Sequence, residues 1–162
     1  MLRQIQQKKG QARGGSFAIV ASRYNAHYVD AMVQAAKAEL QRAFSGVRIF
    51  HVPGAYEIPL VVKRLARVSQ MEPQSALSAI ICLGVILRGE TVHAAHIGEA
   101  VSRALMEIQL AHEIPVIHEV LLLENEAQAD ARCLDPKHNR GAEAAQTALA
   151  MARMLADLNT VG

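Results

Sequence analysis

Short runs of continuous apolar residues alternate along this chain with longer stretches in which apolar residues recur every three or four positions. Continuous runs are typical of strands that are covered on both faces of a sheet, and the spaced positions are typical of helices with one buried face. The pattern predicts strands at 17–21, 47–52, 79–83 and 115–123. It predicts helices at 26–44, 58–68 and 141–158, a helix after Thr91 that contains Ile97 to Ile108, and a short helical segment at 124–132.

Four alternations of strand and helix predict an α/β fold with a parallel sheet and right-handed crossovers. Gly46 is expected to cap the C-terminus of the first helix. In open parallel sheets, ligands bind beyond the carboxyl ends of the strands. Candidate functional residues are therefore expected at 22–25, 53–57, 85–93 and after Leu123.

Composition favours one globular domain at 15–162, since the chain has 162 residues, of which 51% are hydrophobic and 20% charged. Residues 1–14 form a basic arm, which we expect to be flexible. The first 15 residues carry four bases and no acid, so the rest of the chain has a net charge of −2 within a total of +2. This distribution argues against a nucleic-acid partner, because the positive charge is not spread over the body of the domain.

Two isolated cysteines, Cys82 and Cys133, form no disulfide framework, and this favours a reducing compartment. No apolar stretch is long enough to span a membrane, and no signal-peptide core follows Met1. We therefore expect a cytoplasmic protein without a membrane partner.

Three segments could carry chemistry. In Val52–Pro59, Gly54 permits close backbone approach and two prolines stiffen a polar strip, although an ordinary strand-to-helix turn explains the same residues. Gly89, Glu90 and Thr91 precede a helix whose free amides could hold a phosphate, or they could simply cap it. His93 follows and could transfer a proton. His93 and His96 could also pair on a metal, but no third ligand has the spacing of a motif, so we expect no metal site.

The segment 132–143 is rich in bases and contains Arg132 and Arg140, which suit a phosphate but also fit a solvated loop. His118 is expected to end or interrupt the fourth strand, at an edge or interface where it and Glu119 are hydrogen-bonded. Tyr24, after the first strand, could stack on a planar ligand or belong to the core.

These motifs resemble the lumazine synthase (6,7-dimethyl-8-ribityllumazine synthase) family over about residues 17–158. The resemblance is carried by SRYN, VPGAYEIP, GVILRGETVHAAHI, PVIHEVLLLE and RCLDPKHNRGAEAA, in this order. It implies a flavodoxin-like α/β/α sandwich with a four-stranded parallel sheet. It also implies condensation of 5-amino-6-(ribitylamino)uracil with 3,4-dihydroxy-2-butanone 4-phosphate, the penultimate step of riboflavin biosynthesis, without a cofactor.

The resemblance also implies a role for each site residue. His93 would transfer protons and Glu143 would orient it. The phosphate would be bound by Gly89, Glu90 and Thr91, with Arg132 reaching over from an adjacent subunit. The organic part of the substrates would be bound by Tyr24, Gly54, Ala55, Tyr56, Glu57, Ile86, Leu87, His118 and Arg140.

The chain departs from the family pattern at several of these positions. His118 stands where phenylalanine is usual, Glu119 replaces a small residue, and Arg140 replaces lysine. LDPKHN replaces a glycine-rich loop that influences how pentamers meet. We therefore expect pentamers with the active site at the subunit interface, or decamers, rather than an icosahedral shell. A weakly active family member that binds lumazine or flavin as a binder or scaffold is the alternative.

Overall fold

A computed structural model describes residues 14–43 and 45–161, so the basic arm lies almost wholly outside the described residues. The strands are β1 (Ser16–Ser22), β2 (Gly46–Val52), β3 (Ala79–Leu87) and β4 (Val116–Leu123). The helices are α1 (Ala26–Arg42), α2 (Ile58–Met71), α3 (His93–His112), α4 (Glu126–Ala129) and α5 (Arg140–Leu158). Short 3₁₀ turns occur at Ala55–Glu57 and Pro73–Ser75, and a π-helical turn at Asp130–Leu134.

All four strands are parallel and lie in the order β2-β1-β3-β4. The central strands β1 and β3 are buried almost throughout, as their continuous apolar sequences predict. The edge strands β2 and β4 contain more exposed residues, as expected at the margins of the sheet. The predicted α/β fold is confirmed.

Two apolar layers enclose the sheet and make the molecule a three-layer sandwich. Residues of α1 and α5 pack with Ile19, Ile81 and Ile117 on one face. Residues of α2 and α3 pack with Val20, Ile80 and Val120 on the other face. Neighbouring side chains of a strand point to opposite faces of the sheet, so adjacent residues of β4 pack against different helices. In the described part of the chain, no helix is long and apolar enough to cross a membrane.

The prediction that Gly46 caps α1 is wrong. The helix ends at Arg42, and Ala43 takes the cap position. Gly46 is instead the first residue of β2, and its N–H donates to the Gly15 carbonyl at 2.8 Å. Gly46 therefore takes part in strand pairing beside β1 and not in the end of α1.

The third strand is longer than its pattern predicts, because β4 pairs with β3 as far as Leu87 and Leu123. Residues 85–87 therefore belong to the strand rather than to a loop, and α3 begins only at His93. His118 lies inside β4 and neither ends nor interrupts it. The edge position expected for His118 is confirmed.

Candidate functional site

A cavity of about 830 Å³ opens at the carboxyl ends of β1, β2 and β3, beside the first turns of α3. This is where the fold places ligands in open parallel sheets. The cavity is lined by Tyr24, Asn25, Gly54, Ala55, Tyr56, Glu57, Val85, Ile86, Leu87, His93, His96, Ile97 and Ala100. The structure thus brings together Tyr24, residues 54–57, Ile86, Leu87 and His93, whereas the predicted phosphate turn at 89–91 is not part of the lining.

The strip after β2 is rigid because its own atoms bond each other. The Gly54 N–H donates to Glu57 Oε2 at 2.9 Å, across the 3₁₀ turn. A Cβ on Gly54 would lie 2.9 Å from that oxygen and 3.2 Å from the Tyr24 ring, so a larger residue would displace the Glu57 carboxylate and the ring. Tyr24 and Tyr56 expose 73% and 63% of their surface, and they offer aromatic faces around a preformed backbone strip.

Asn25 is a cavity residue that lies in the predicted segment 22–25 but was given no role of its own. Its backbone is left-handed, with φ of 56°, a conformation that asparagine tolerates better than most residues. Its Nδ2 donates to the Val85 carbonyl at 2.8 Å and so ties the turn after β1 to the end of β3. The signal in the sequence was an asparagine in the short turn between the first strand and the first helix, where a left-handed residue is favoured.

The segment expected to bind phosphate is exposed and precedes α3 by two residues. The His93 N–H lies 3.4 Å from Thr91 Oγ1, so the threonine is a weak cap for the helix. No Cβ contact would arise at Gly89, which leaves open space there. Arg88 is not aimed at this turn, since its Nη1 donates to Glu124 Oε1 at 2.8 Å.

His93 and His96 lie one turn apart on α3 and both line the cavity. The helix dipole and the free amides of its first turn make this end of the cavity favourable for an anion. His96, Val85, Ile97 and Ala100 are further lining residues that were not predicted as site residues. In the described ranges 14–43 and 45–161, no group of three or more His, Cys, Asp or Glu side chains could hold a metal ion.

Seven predicted site residues do not line the cavity of their own chain: Gly89, Glu90, Thr91, Arg132, His118, Arg140 and Glu143. Glu143 Oε2 accepts from Arg140 Nη1 at 2.8 Å, so within one subunit its carboxylate is directed to Arg140 rather than to His93. Arg132 is exposed in the π-helical turn.

Arg140 is held by the carboxylate of Glu119. Its Nε and Nη2 donate to the two oxygens of Glu119 at 3.0 and 2.9 Å. Burial raises the pKa of Glu119, and the bonds from Arg140 oppose that rise. The two departures from the pattern, Glu119 and Arg140, therefore compensate each other as one ion pair. The expectation that Glu119 is hydrogen-bonded at the edge is confirmed.

Comparison with known proteins decides the family. The family model for 6,7-dimethyl-8-ribityllumazine synthase matches residues 14–156. The chain belongs to the 6,7-dimethyl-8-ribityllumazine synthase family. The resemblance inferred from the motifs is confirmed, and so is the flavodoxin-like form of the fold.

Individual relatives agree with the family model. The 6,7-dimethyl-8-ribityllumazine synthase of Stenotrophomonas maltophilia (strain R551-3) is 37% identical over 145 residues, which cover 88% of this chain and 90% of the relative. The protein of that name from Xanthomonas euvesicatoria pv. vesicatoria (strain 85-10) is 36% identical over 142 residues, covering 86% and 88%. The alignment with these synthases favours an enzyme over the lumazine-binding scaffold.

Proposed function

We propose that this protein is a lumazine synthase, which condenses 5-amino-6-(ribitylamino)uracil with 3,4-dihydroxy-2-butanone 4-phosphate and releases phosphate and water. The observation that carries the proposal is the cavity, which combines exposed aromatic rings, a rigid backbone strip and His93 in a chain of this family. The reaction needs two reactants held together and protons moved. Holding them can supply about 7–11 kcal/mol of the barrier reduction.

The cavity walls suit the organic part of the substrates. The pyrimidine ring stacks on Tyr24 and meets the ends of β3 at Ile86 and Leu87. The ribityl chain lies along residues 54–57, where backbone groups and the Glu57 carboxylate bind its hydroxyls. The 2.9 Å bond between Gly54 and Glu57 supports this role, because it orders the strip before the ligand arrives.

The phosphate binds at the start of α3. Backbone amides at Gly89, Glu90 and Thr91 and the positive end of the helix dipole favour an anion there. The forked guanidinium of Arg132, from the adjacent subunit, completes the site. Its exposed position outside the cavity of its own chain supports a role in a neighbouring chain.

His93 moves the protons of imine formation, phosphate loss and ring closure. Glu143, His118 and Arg140 also lie outside the cavity of their own chain, and we assign them to the site of the neighbouring subunit. There Glu143 orients His93, His118 contacts the ring, and Arg140 lies beside the substrate with its charge shared with Glu119 and Glu143. No cofactor takes part.

The assembly implied is a homopentamer in the cytoplasm, formed by one domain at 15–162. Pairing of pentamers into decamers is compatible with the LDPKHN loop. Five chains of 17.6 kDa give a mass of about 88 kDa, which native mass spectrometry would resolve. The family match begins at residue 14, so removal of the first 13 residues of the basic arm is expected to leave turnover unchanged.

Activity is tested by mixing the purified protein with both substrates and following product fluorescence and phosphate release. We expect equal amounts of lumazine product and phosphate. Tight lumazine binding without turnover would contradict the proposed enzyme and favour a lumazine-binding protein.

A further inference from the structure

The side chain of His118 uses both ring nitrogens inside its own chain. The Val120 N–H, on the edge strand β4, donates to His118 Nδ1 at 3.1 Å. An Nδ1 that accepts a hydrogen bond carries no proton, so the proton of the neutral ring lies on Nε2. His118 Nε2 lies 2.7 Å from Ser102 Oγ on α3, and therefore donates to it.

The chain of bonds ends on the backbone of α3. The Ser102 hydroxyl donates to the Gly98 carbonyl at 2.7 Å, which leaves its oxygen free to accept from the imidazole. In this series of hydrogen bonds the Val120 N–H, the His118 Nε2–H and the Ser102 hydroxyl each donate to one acceptor. The network fixes the ring in one tautomer and one orientation between the edge strand and α3.

Exposed apolar side chains lie on the same strand face and helix as the network. His118 is exposed, and Leu122, four residues further along β4 on the same face, is 41% exposed. Met106, one helical turn beyond Ser102, is 54% exposed. Partial desolvation of the ring within the protein lowers the pKa of His118, so the neutral ring is favoured at pH 7.

We propose that Ser102 and the edge amide of Val120 hold His118 as a neutral Nε2–H imidazole, which presents only its ring faces and carbon atoms at the sheet edge. In that state the histidine is an uncharged aromatic ring. Both ring nitrogens are hydrogen-bonded within the chain, so the side chain takes no part in proton transfer. Ser102 is then a positioning residue that acts through His118. The consequence for substrate binding rests on the proposed function, in which His118 contacts the pyrimidine ring in the neighbouring subunit.

The tautomer is tested directly by solid-state NMR on sedimented full-length protein with ¹⁵N-labelled histidine, a method that works for any assembly size. The seven histidines overlap, so His118→Gln identifies the signals of residue 118 by their loss. At pH 7 we expect an unprotonated Nδ1 and a protonated Nε2. A doubly protonated ring or an Nδ1–H tautomer would overturn the proposal, whether or not the protein turns over its substrates.

The positioning role is tested with Ser102→Ala, using Ser102→Thr to restore the hydroxyl. Ser75→Ala is the matched control, because that hydroxyl bonds Glu72 in the loop before β3, at the opposite end of the sheet. In Ser102→Ala we expect a mixture of tautomers and a rise of about two- to twelve-fold in KM for the pyrimidine substrate, the worth of an aromatic contact, with a smaller change in kcat.

Ser102→Thr and Ser75→Ala are expected to keep both the tautomer and the parent KM. An unchanged KM in Ser102→Ala would refute the positioning role even if the tautomer is as proposed. An inactive parent protein would refute the proposed function instead, and the NMR experiment would still decide the state of the ring.

Discussion

His93 shows at the scale of one residue how catalysis is divided between holding and proton transfer. A single general acid–base contributes about 10²- to 10⁴-fold, whereas holding both reactants contributes more. Because the cavity walls remain when the imidazole is removed, His93→Ala is expected to lower kcat by about 10²- to 10⁴-fold and to leave measurable turnover.

Steady-state kinetics on His93→Ala measure this loss. His112→Ala is the matched control, because it removes an imidazole from the opposite end of the same helix, where His112 bonds Gln70. A loss of more than about five decades would contradict the division of the barrier between holding and proton transfer.

Asn25 combines backbone strain with a long-range hydrogen bond, and two substitutions separate them. Alanine tolerates φ of 56° less well than asparagine and cannot form the bond to Val85. Asn25→Ala is therefore expected to lower the free energy of unfolding by about 1–3 kcal/mol. Asn25→Gly relieves the backbone and loses only the bond, for about 1 kcal/mol. Denaturant unfolding measures both, and equal losses would show that the backbone conformation contributes nothing.

At the scale of elements, the contact between α1 and α5 depends on one missing side chain. A Cβ on Gly141 would lie 2.0 Å from the Met32 carbonyl oxygen, which is backbone and cannot rotate away. Gly141→Ala is therefore expected to separate the helices and to destabilise the fold by about 3 kcal/mol or more. Gly46→Ala is the control, since its new Cβ would meet its nearest atom at an ordinary 3.8 Å, and a similar loss there would disprove the explanation.

The Glu119–Arg140 pair joins β4 to the start of α5, and its loss is expected to be asymmetric. Arg140→Leu leaves a carboxylate whose side chain is only 11% exposed without its partner. We expect a loss of about 2–3 kcal/mol, less than for a fully buried pair because the Arg140 side chain is 28% exposed. The double variant Glu119→Leu with Arg140→Leu is expected to recover most of the stability, and denaturation midpoints compare the two.

The same single variant also carries a pH dependence with a definite sign. Burial holds the pKa of Glu119 above its ordinary value, and loss of Arg140 removes the bonds that oppose this rise. The folded state then binds the proton more firmly than the unfolded state, so stability falls as pH rises between the two pKa values. Because the pKa of Glu119 is already raised in the parent, the deficit of Arg140→Leu relative to the parent should grow as pH rises above that parent pKa towards the higher pKa of the variant. The double variant lacks the carboxylate and should show no such growth; growth there would assign the effect to another group.

At the scale of the whole molecule, the proposed site needs two subunits, and subunit mixing tests this. Mixed assemblies of His93→Ala and Arg132→Ala subunits contain interfaces where an intact His93 faces an intact Arg132. With equal random mixing, about a quarter of the sites are complete, so activity should exceed that of either variant alone. His93→Ala with Tyr24→Ala is the matched control, because both side chains line one cavity and no site is restored. No gain in the first mixture would place Arg132 in the site of its own chain.

The local pattern of apolar and polar residues was sufficient to predict the alternation of strands and helices and the segments that form the site. Apolar runs such as 79–83 and the glycine and prolines of 52–59 act over a few residues, and side-chain periodicity reports burial directly. Element ends were less accurate. The extension of β3 to Leu87 depends on pairing with Leu123, which lies 36 residues further along.

Contacts between distant residues came only from the folded chain. Nothing in the spacing of Asn25 and Val85, Glu119 and Arg140, or Ser102 and His118 predicts that they bond, because each pair is joined by sheet order and helix packing rather than by period. Residue types and their order along the chain thus specify the family and the candidate chemistry. The three-dimensional arrangement specifies which charges are compensated and which tautomer is held, since those depend on the partners each side chain meets.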